Sequence, residues 1–337
     1  MEQRVLGRTG ISVSELCLGA MMFGARGNKD QDDSIRVIHR ALDAGINFID
    51  TADVYAQGES EEIVGRALAG GRRDRVVLAT KLHGQMGDDP NAQGNSRRWI
   101  TRECEASLRR LQTDWIDLYQ IHRPDPSCDI EETLGALTDL VRAGKVRYFG
   151  SSTFLPSQIV EAQWVAERRG RDRFVCEQPP YSLLVRGVEA EVLPVCQRYG
   201  MGVIPWSPLA GGFLSGAYRR GRGAPPGTRA ARQDLTLPVN QRKLEAVEAL
   251  SQLADEVGIS LIHLAIAFVL QHPAVTAAII GPRTMEHLES QLGAAEVTLD
   301  QATLDHIDDI VPPGTNVNPA DAGWTVPEVS DSRLRRR

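Results

Sequence analysis

Long apolar runs are missing from this chain. No uninterrupted apolar stretch approaches the roughly 18 residues a membrane span needs, so no membrane role is expected. The opening MEQRVLGRTG lacks the apolar region of a secretory leader. Cysteine is sparse: Cys17, Cys104, Cys128, Cys176 and Cys196 are scattered, odd in number and without a C-x-x-C pair. That excludes a disulfide framework and points to a reducing, cytoplasmic compartment, with the thiols as small apolar core residues. A basic excess is missing too. The net charge of -6 and pI near 5.7 argue against a general nucleic-acid partner. No His/Cys/carboxylate cluster has ligand spacing, so no metal is expected; His39, His263, His272, His287 and His306 fall in helical segments with no H-x-x-x-H pair.

What is present is a globular composition, 42% hydrophobic and 24% charged, which rules out a disordered chain or a rod. Short apolar runs at 16–18, 46–49, 76–79, 116–121, 146–149, 174–176, 203–206 and 277–280 read as buried parallel strands. Helical segments at 33–44, 59–69, 101–111, 130–143, 156–169, 189–199, 242–256, 262–270 and 285–294 alternate with them. Gly45, Gly144, Gly170, Gly200 and Gly258 stand at helix stops as left-handed caps, and Thr101 can serve as an N-cap. Eight strand–helix units predict an α/β fold, a closed (β/α)8 TIM barrel, because an open sheet would leave two edges. The doubly wound alternative lacks a G-x-G-x-x-G after the first strand. The expected organisation is one domain over 1–337, with 312–337 an irregular C-terminal tail. Leu6-Gly7-Arg8-Thr9-Gly10-Ile11 reads as the turn of an N-terminal β-hairpin covering the barrel bottom. The long loops at 83–98 and 211–241 follow strand C-termini, the active-site face of such a barrel.

Polar residues closing the strands are the candidate site. Asp50 closes the second, Tyr55 lies in the loop beyond it, Lys81 closes the third and His122 the fourth. Singly, each has a bland explanation: a helix cap, a solvated amine, a hydrogen-bonded structural imidazole. Together they describe an acid catalyst. A phenol with a reference pKa near ~10 is a poor proton donor at neutral pH. A neighbouring ammonium favours the phenolate, an Asp keeps that ammonium charged, and a His orients an oxygen gaining negative charge. Hydride addition to a carbonyl creates such an oxygen.

The stretches LGRTGISVSELCLGAMMFG, NFIDTADVYAQGESEEIVGRAL, DLYQIHRPDP, GKVRYFGSST, CEQPPYSLL, PWSPLAGGFLSGAY and AAIIGPRTMEHLESQL resemble the aldo-keto reductases over nearly the whole chain. The detail is similar to the bacterial branch related to the potassium-channel β subunits. The resemblance implies NADPH/NADP+ bound across the strand C-termini and reduction of an aldehyde or ketone by hydride transfer. Tyr55 would be the general acid, Lys81 its tuner, Asp50 the partner of Lys81 and His122 the orienter. It further assigns Ser152 and Gln178 to the nicotinamide carboxamide, Trp206 to the nicotinamide ring, and Gly19 and Met21 to the nicotinamide end. Ser207, Leu209 and Gly212 would pass the pyrophosphate, Gly281 and Arg283 hold the 2′-phosphate, and Gln291 meet the adenine.

The chain departs from the family pattern at Ser152-Thr153, Ser290-Gln291 and Ala217, with Arg219, Arg220 and Arg222 as substitutes for a charge lost at Ala217. His83 could face substrate, and Trp324 could cover the substrate mouth or pack on the barrel. The expected partner is a small carbonyl substrate; oligomeric state stays open. Two other functions compete. One is a nucleotide-holding, redox-sensing partner subunit with slow turnover, disfavoured by His122, which the resemblance implies the channel subunits lack. The other is an aldolase with Lys81 as Schiff base, disfavoured because Asp50 would keep that amine charged.

Overall fold

Strand and helix alternate along the chain because each short apolar run is followed by a turn and then by an amphipathic segment. The computed structural model describes residues 1–218 and 234–335. Strand β1 (Gln3–Val5) pairs antiparallel with β2 (Ser12–Ser14), with Val5 opposite Ser12. The hairpin turn inserts Leu6, fully buried, and brings Gly7 so close to Gly202 N and Val175 O that a Cβ there would lie 2.8 Å from each. It thus seals the N-terminal end of the sheet.

Eight parallel strands follow: β3 (Leu16–Gly19), β4 (Phe48–Asp50), β5 (Val77–Leu82), β6 (Ile116–Ile121), β7 (Val146–Ser152), β8 (Cys176–Gln178), β9 (Gly202–Val203) and β10 (Ala278–Ile280). Their order is β10-β3-β4-β5-β6-β7-β8-β9, and bridges Val203–Val275 and Trp206–Ile279 join the two ends. This is the (β/α)8 arrangement. The run 203–206 was expected to be strand throughout. Its ladder stops at Val203 because Pro205 has no N–H to give; Pro205 O instead accepts from Ile279 N at 2.9 Å.

Helices α1 (Gln31–Asp43), α2 (Glu59–Ala67), α3 (Arg97–Leu111), α4 (Ile130–Arg142), α5 (Pro156–Arg169), α6 (Val192–Tyr199), α7 (Pro238–Glu256), α8 (Leu261–Gln271) and α9 (Met285–Leu292) surround the strands. The five glycines expected as left-handed caps all have positive φ. Thr101 is not a cap. Helix α3 starts a turn earlier, where Ser96 Oγ accepts from Trp99 N, and Thr101 donates to Arg97 O inside the helix. A tenth helix, α10 (Gln301–Ile310), was not foreseen, although Asp300 caps it by accepting from Thr303 N at 2.8 Å. The tail beyond it is mostly irregular, with short helical turns at Pro319–Ala322, Pro327–Ser330 and Ser332–Arg335. Among the described residues no single helix is long and apolar enough to cross a membrane.

The interior of the ring is layered. Cys17, Phe48, Ala79, Leu118, Cys176, Ile204 and Ala277 pack together with Leu6 and Val13 of the hairpin. Two residues further along each strand, the same face carries Gly19, Asp50, Lys81, Gln120, Gln178, Trp206 and Ile279. Strand periodicity of two therefore stacks the polar layer Asp50, Lys81, Gln120 and Gln178 directly above the apolar Phe48, Ala79, Leu118 and Cys176.

Candidate active site

Lys81 occupies the centre of the polar layer, fully buried. Its Nζ donates to Asp50 Oδ1 at 2.5 Å, to Thr51 O at 2.8 Å and to Tyr55 Oη at 3.3 Å. Three acceptors thus take up the three protons of an ammonium. Burial alone would depress the Lys81 pKa, but Asp50 and Tyr55 together outweigh it and the amine is held above its usual range. Asp50 Oδ2 accepts from Gln120 Nε2 and Gln178 Nε2, each at 3.0 Å.

Tyr55 begins a tight turn after β4, Tyr55–Gly58, in which Ala56 and Gln57 both take left-handed backbone angles. That unusual turn points the phenol back at Lys81. The His122 ring meets the Tyr55 ring edge-on, with centroids 5.7 Å apart and planes at 80°. Burial first, then the charges of Lys81 and Arg123, hold the imidazole well below its usual pKa. It is neutral at physiological pH, with one N–H to donate.

A cavity of about 540 Å³ opens over this layer. Asp50, Tyr55 and His122 line it, and so do Gly19, Met21, Ser152, Gln178, Trp206, Ser207, Leu209, Gly212, Gly281, Arg283 and Gln291. Lys81 lies just behind the lining. The fold thus brings the four residues of the expected acid–base set and the residues assigned to the cofactor to one place. Ser152 Oγ donates to Gln178 O at 2.8 Å, fixing two neighbouring lining residues to each other. Left-handed backbone at Ser207, Ala210, Gly211 and Gly212 curls the following loop along the cavity edge. Gln291 Nε2 donates to His287 O, while its buried Oε1 has no hydrogen-bond partner among the described residues.

Several expectations fall elsewhere. His83 is absent from the lining and its ring nitrogen bonds Asn95 Oδ1 at 3.0 Å. Trp324 is absent as well; its neighbour Gly323 lines the adjoining polar cleft, where a Cβ on it would lie 3.2 Å from the Trp206 ring. Arg219, Arg220 and Arg222 lie outside the described residues. Sequence reasoning missed Gln120, Arg26, Arg123, Tyr218 and His287. Gln120 was findable: it sits two residues past inward-facing Leu118 on β6. Arg123 directly follows His122.

The sequence is similar to a family model and to several known proteins. Residues 15–312 match the model of the Aldo/keto reductase family. An uncharacterised oxidoreductase, YrpG, of Bacillus subtilis (strain 168) is 43% identical over 96% of this chain and 100% of its own length. A probable voltage-gated potassium channel subunit beta of Oryza sativa subsp. japonica is 37% identical, covering 92% of this chain and 97% of its own. A versiconal hemiacetal acetate reductase of Aspergillus parasiticus is 33% identical, covering 92% and 96%.

Proposed function

This chain belongs to the aldo/keto reductase family and is an oxidoreductase; on that premise we propose that it reduces an aldehyde or ketone with NADPH, using Tyr55 as the general acid. The observation that carries this reading is the Lys81 ammonium held between Asp50 and Tyr55 at the floor of a nucleotide-sized cavity. In it the whole chain, 1–337, acts as one barrel domain.

The residues suit the cofactor. Trp206, Ser152 and Gln178 all line the cavity; the Trp206 ring would take the nicotinamide, and Ser152 and Gln178 would bond its carboxamide. Gln178 has given its amide N–H groups to Asp50 and Gln120, so its carbonyl oxygen is what it can offer. Gly19 and Met21 border the same end, and the left-handed loop through Ser207, Leu209 and Gly212 lets backbone approach a pyrophosphate. Gly281 and Arg283 would hold the 2′-phosphate. Oε1 of Gln291, without a partner among the described residues, is an acceptor suited to the adenine amine. When bound, NADPH supplies the hydride.

The protein's part is the proton. The substrate oxygen sits between Tyr55 Oη and the neutral His122 ring, which donates one hydrogen bond to it. As charge builds on that oxygen, Tyr55 releases its proton to it. The Lys81 ammonium, already bonded to the phenolic oxygen, stabilises the charge left behind. Asp50 keeps Lys81 protonated throughout. In the reverse direction Tyr55 is the base.

Relatives named as channel β subunits suggest a second reading, a slowly turning nucleotide-holding partner. The imidazole set edge-on against Tyr55 favours the enzyme. Tyr55→Phe tests the choice: carbonyl reduction should fall to near background while NADPH binding, followed by fluorescence titration, stays close to wild type. An unchanged rate of aldehyde reduction would overturn Tyr55 as the acid.

A further inference from the structure

The charges lining the catalytic cavity do not balance. Among the described lining residues Asp50 is the one carboxylate, and Lys81 neutralises it. Burial keeps His122 and His287 below the usual imidazole range, so neither adds charge at neutral pH. Three guanidinium groups remain: Arg26, Arg123 and Arg283. On the reading above, the 2′-phosphate claims Arg283. Arg26 is exposed and also lines the adjoining polar cleft beside Ser207 and Gly211, where a pyrophosphate would pass. Arg123 has no such claimant.

Arg123 is half-buried, directly after His122. Its Nη1 donates to His122 O at 2.7 Å and to Thr153 Oγ1 at 3.2 Å. Both acceptors are neutral, and they occupy one nitrogen of a three-nitrogen fork. The carboxyl that acts on it most, Glu177, is engaged by Ser151 Oγ and Phe154 N instead. A charge withdrawn from water without a counter-ion is costly, so such groups mark places where an anion arrives. The neighbouring backbone adds a second sign. Thr153 holds φ at 59°, a left-handed angle that a β-branched residue adopts only when its surroundings force it. Strain of this kind gathers at ligand clamps, and here the strained residue's hydroxyl aligns the guanidinium.

The geometry points to a carboxylate subsite at Arg123: the substrate is an aldehyde or ketone carrying a carboxylate, which pairs with the Arg123 fork while the carbonyl oxygen lies between Tyr55 and His122. Fork-to-carboxylate pairing is bidentate and directional, so it would fix the carbonyl's orientation as well as add affinity. This subsite rests on the reductase reading given above.

The test uses 2-, 3- and 4-carboxybenzaldehyde, each beside its methyl ester, with NADPH oxidation as the readout. Wild type should prefer the acid over the ester by about 30-fold in kcat/KM for at least one ring position, the size expected of a desolvated charge pair. Arg123→Met should erase that ratio, and Arg123→Lys should restore part of it, since an ammonium keeps the charge but loses the fork. The ratio cancels any general damage to folding or to His122, because the ester reports that damage too. A ratio unchanged in Arg123→Met, or a wild-type preference for the ester at all three positions, overturns the subsite and leaves the reductase standing. Failure of the wild type to reduce acid or ester alike would sink both.

Discussion

Removing the ammonium at position 81 is the sharpest perturbation this site offers. Where the Lys81–Asp50 pair sits decides the size of the effect. An exposed ion pair contributes about 0–1 kcal/mol, whereas breaking a buried one from a single side costs about 3–5 kcal/mol. The side chains of Lys81 and Asp50 are 0% and 3% exposed, so the second figure applies. In Lys81→Met, Asp50 keeps the two amide hydrogen bonds from Gln120 and Gln178 at 3.0 Å but loses its counter-charge, and Thr51 O loses a donor. Urea unfolding at neutral pH should report a loss of about 3–5 kcal/mol. Asp50→Asn should also destabilise, by stranding the ammonium. The double variant leaves neither charge behind, and its cost should fall short of the sum of the singles by about 2–3 kcal/mol. Both single variants should lose carbonyl reduction. A Lys81→Met loss below about 1 kcal/mol, or strict additivity in the cycle, would mean that the ammonium is not held by Asp50, and the account of proton delivery would fall with it.

Two further predictions concern the periphery of the site. Arg283→Ala should weaken NADPH by about 10–100-fold, the size of a lost charge-assisted contact, with NADH far less affected; equal losses in titrations with the two dinucleotides would remove Arg283 from the 2′-phosphate. Glu177 on β8 is fully buried, and burial lifts its carboxyl to about 7 against opposing bonds from Ser151 and Phe154. Its unfolded value is near ~4.3, so the folded state holds the proton more tightly and stability falls as pH rises from there through about 7. Glu177→Gln removes the ionisation and should gain on wild type by about 2–3 kcal/mol between pH 5 and pH 8. A stability difference that stays flat over that range would refute the assignment.

The barrel was legible because strands and helices differ in length, period and punctuation, and the chain keeps these signals distinct. Boundaries were less so. At Val203–Trp206 the apolar pattern continues but Pro205 interrupts the ladder, a tertiary hydrogen-bonding fact that hydrophobicity does not encode. At Thr101 two residue types suited to capping lay within a few positions; Ser96 takes the role by accepting from Trp99 N, with Trp99 buried in the first turn of α3. Helix α10 was overlooked because its apolar face is short, although its Asp cap was in plain view.

The site's legibility has a different origin. Asp50, Lys81 and Gln178 could be singled out one by one, but the reason they meet is the strand alternation that places Phe48, Ala79 and Cys176 two residues below them. The same rule places Gln120 above Leu118, where its amide bonds Asp50 and its oxygen accepts from Gln178 at 3.1 Å. Among the described residues the Gln120 side chain bonds only within this network, and residue-by-residue inspection would suggest no role for it. It joins Asp50, which holds the ammonium, to Gln178, so Asp50 is fixed from three sides. Replacing it with Leu would extend the apolar layer upward and leave Asp50 Oδ2 with one donor where it now has two. The polar layer therefore works as a unit, and the setting of Lys81 and Tyr55 depends on a glutamine that no catalytic motif identifies.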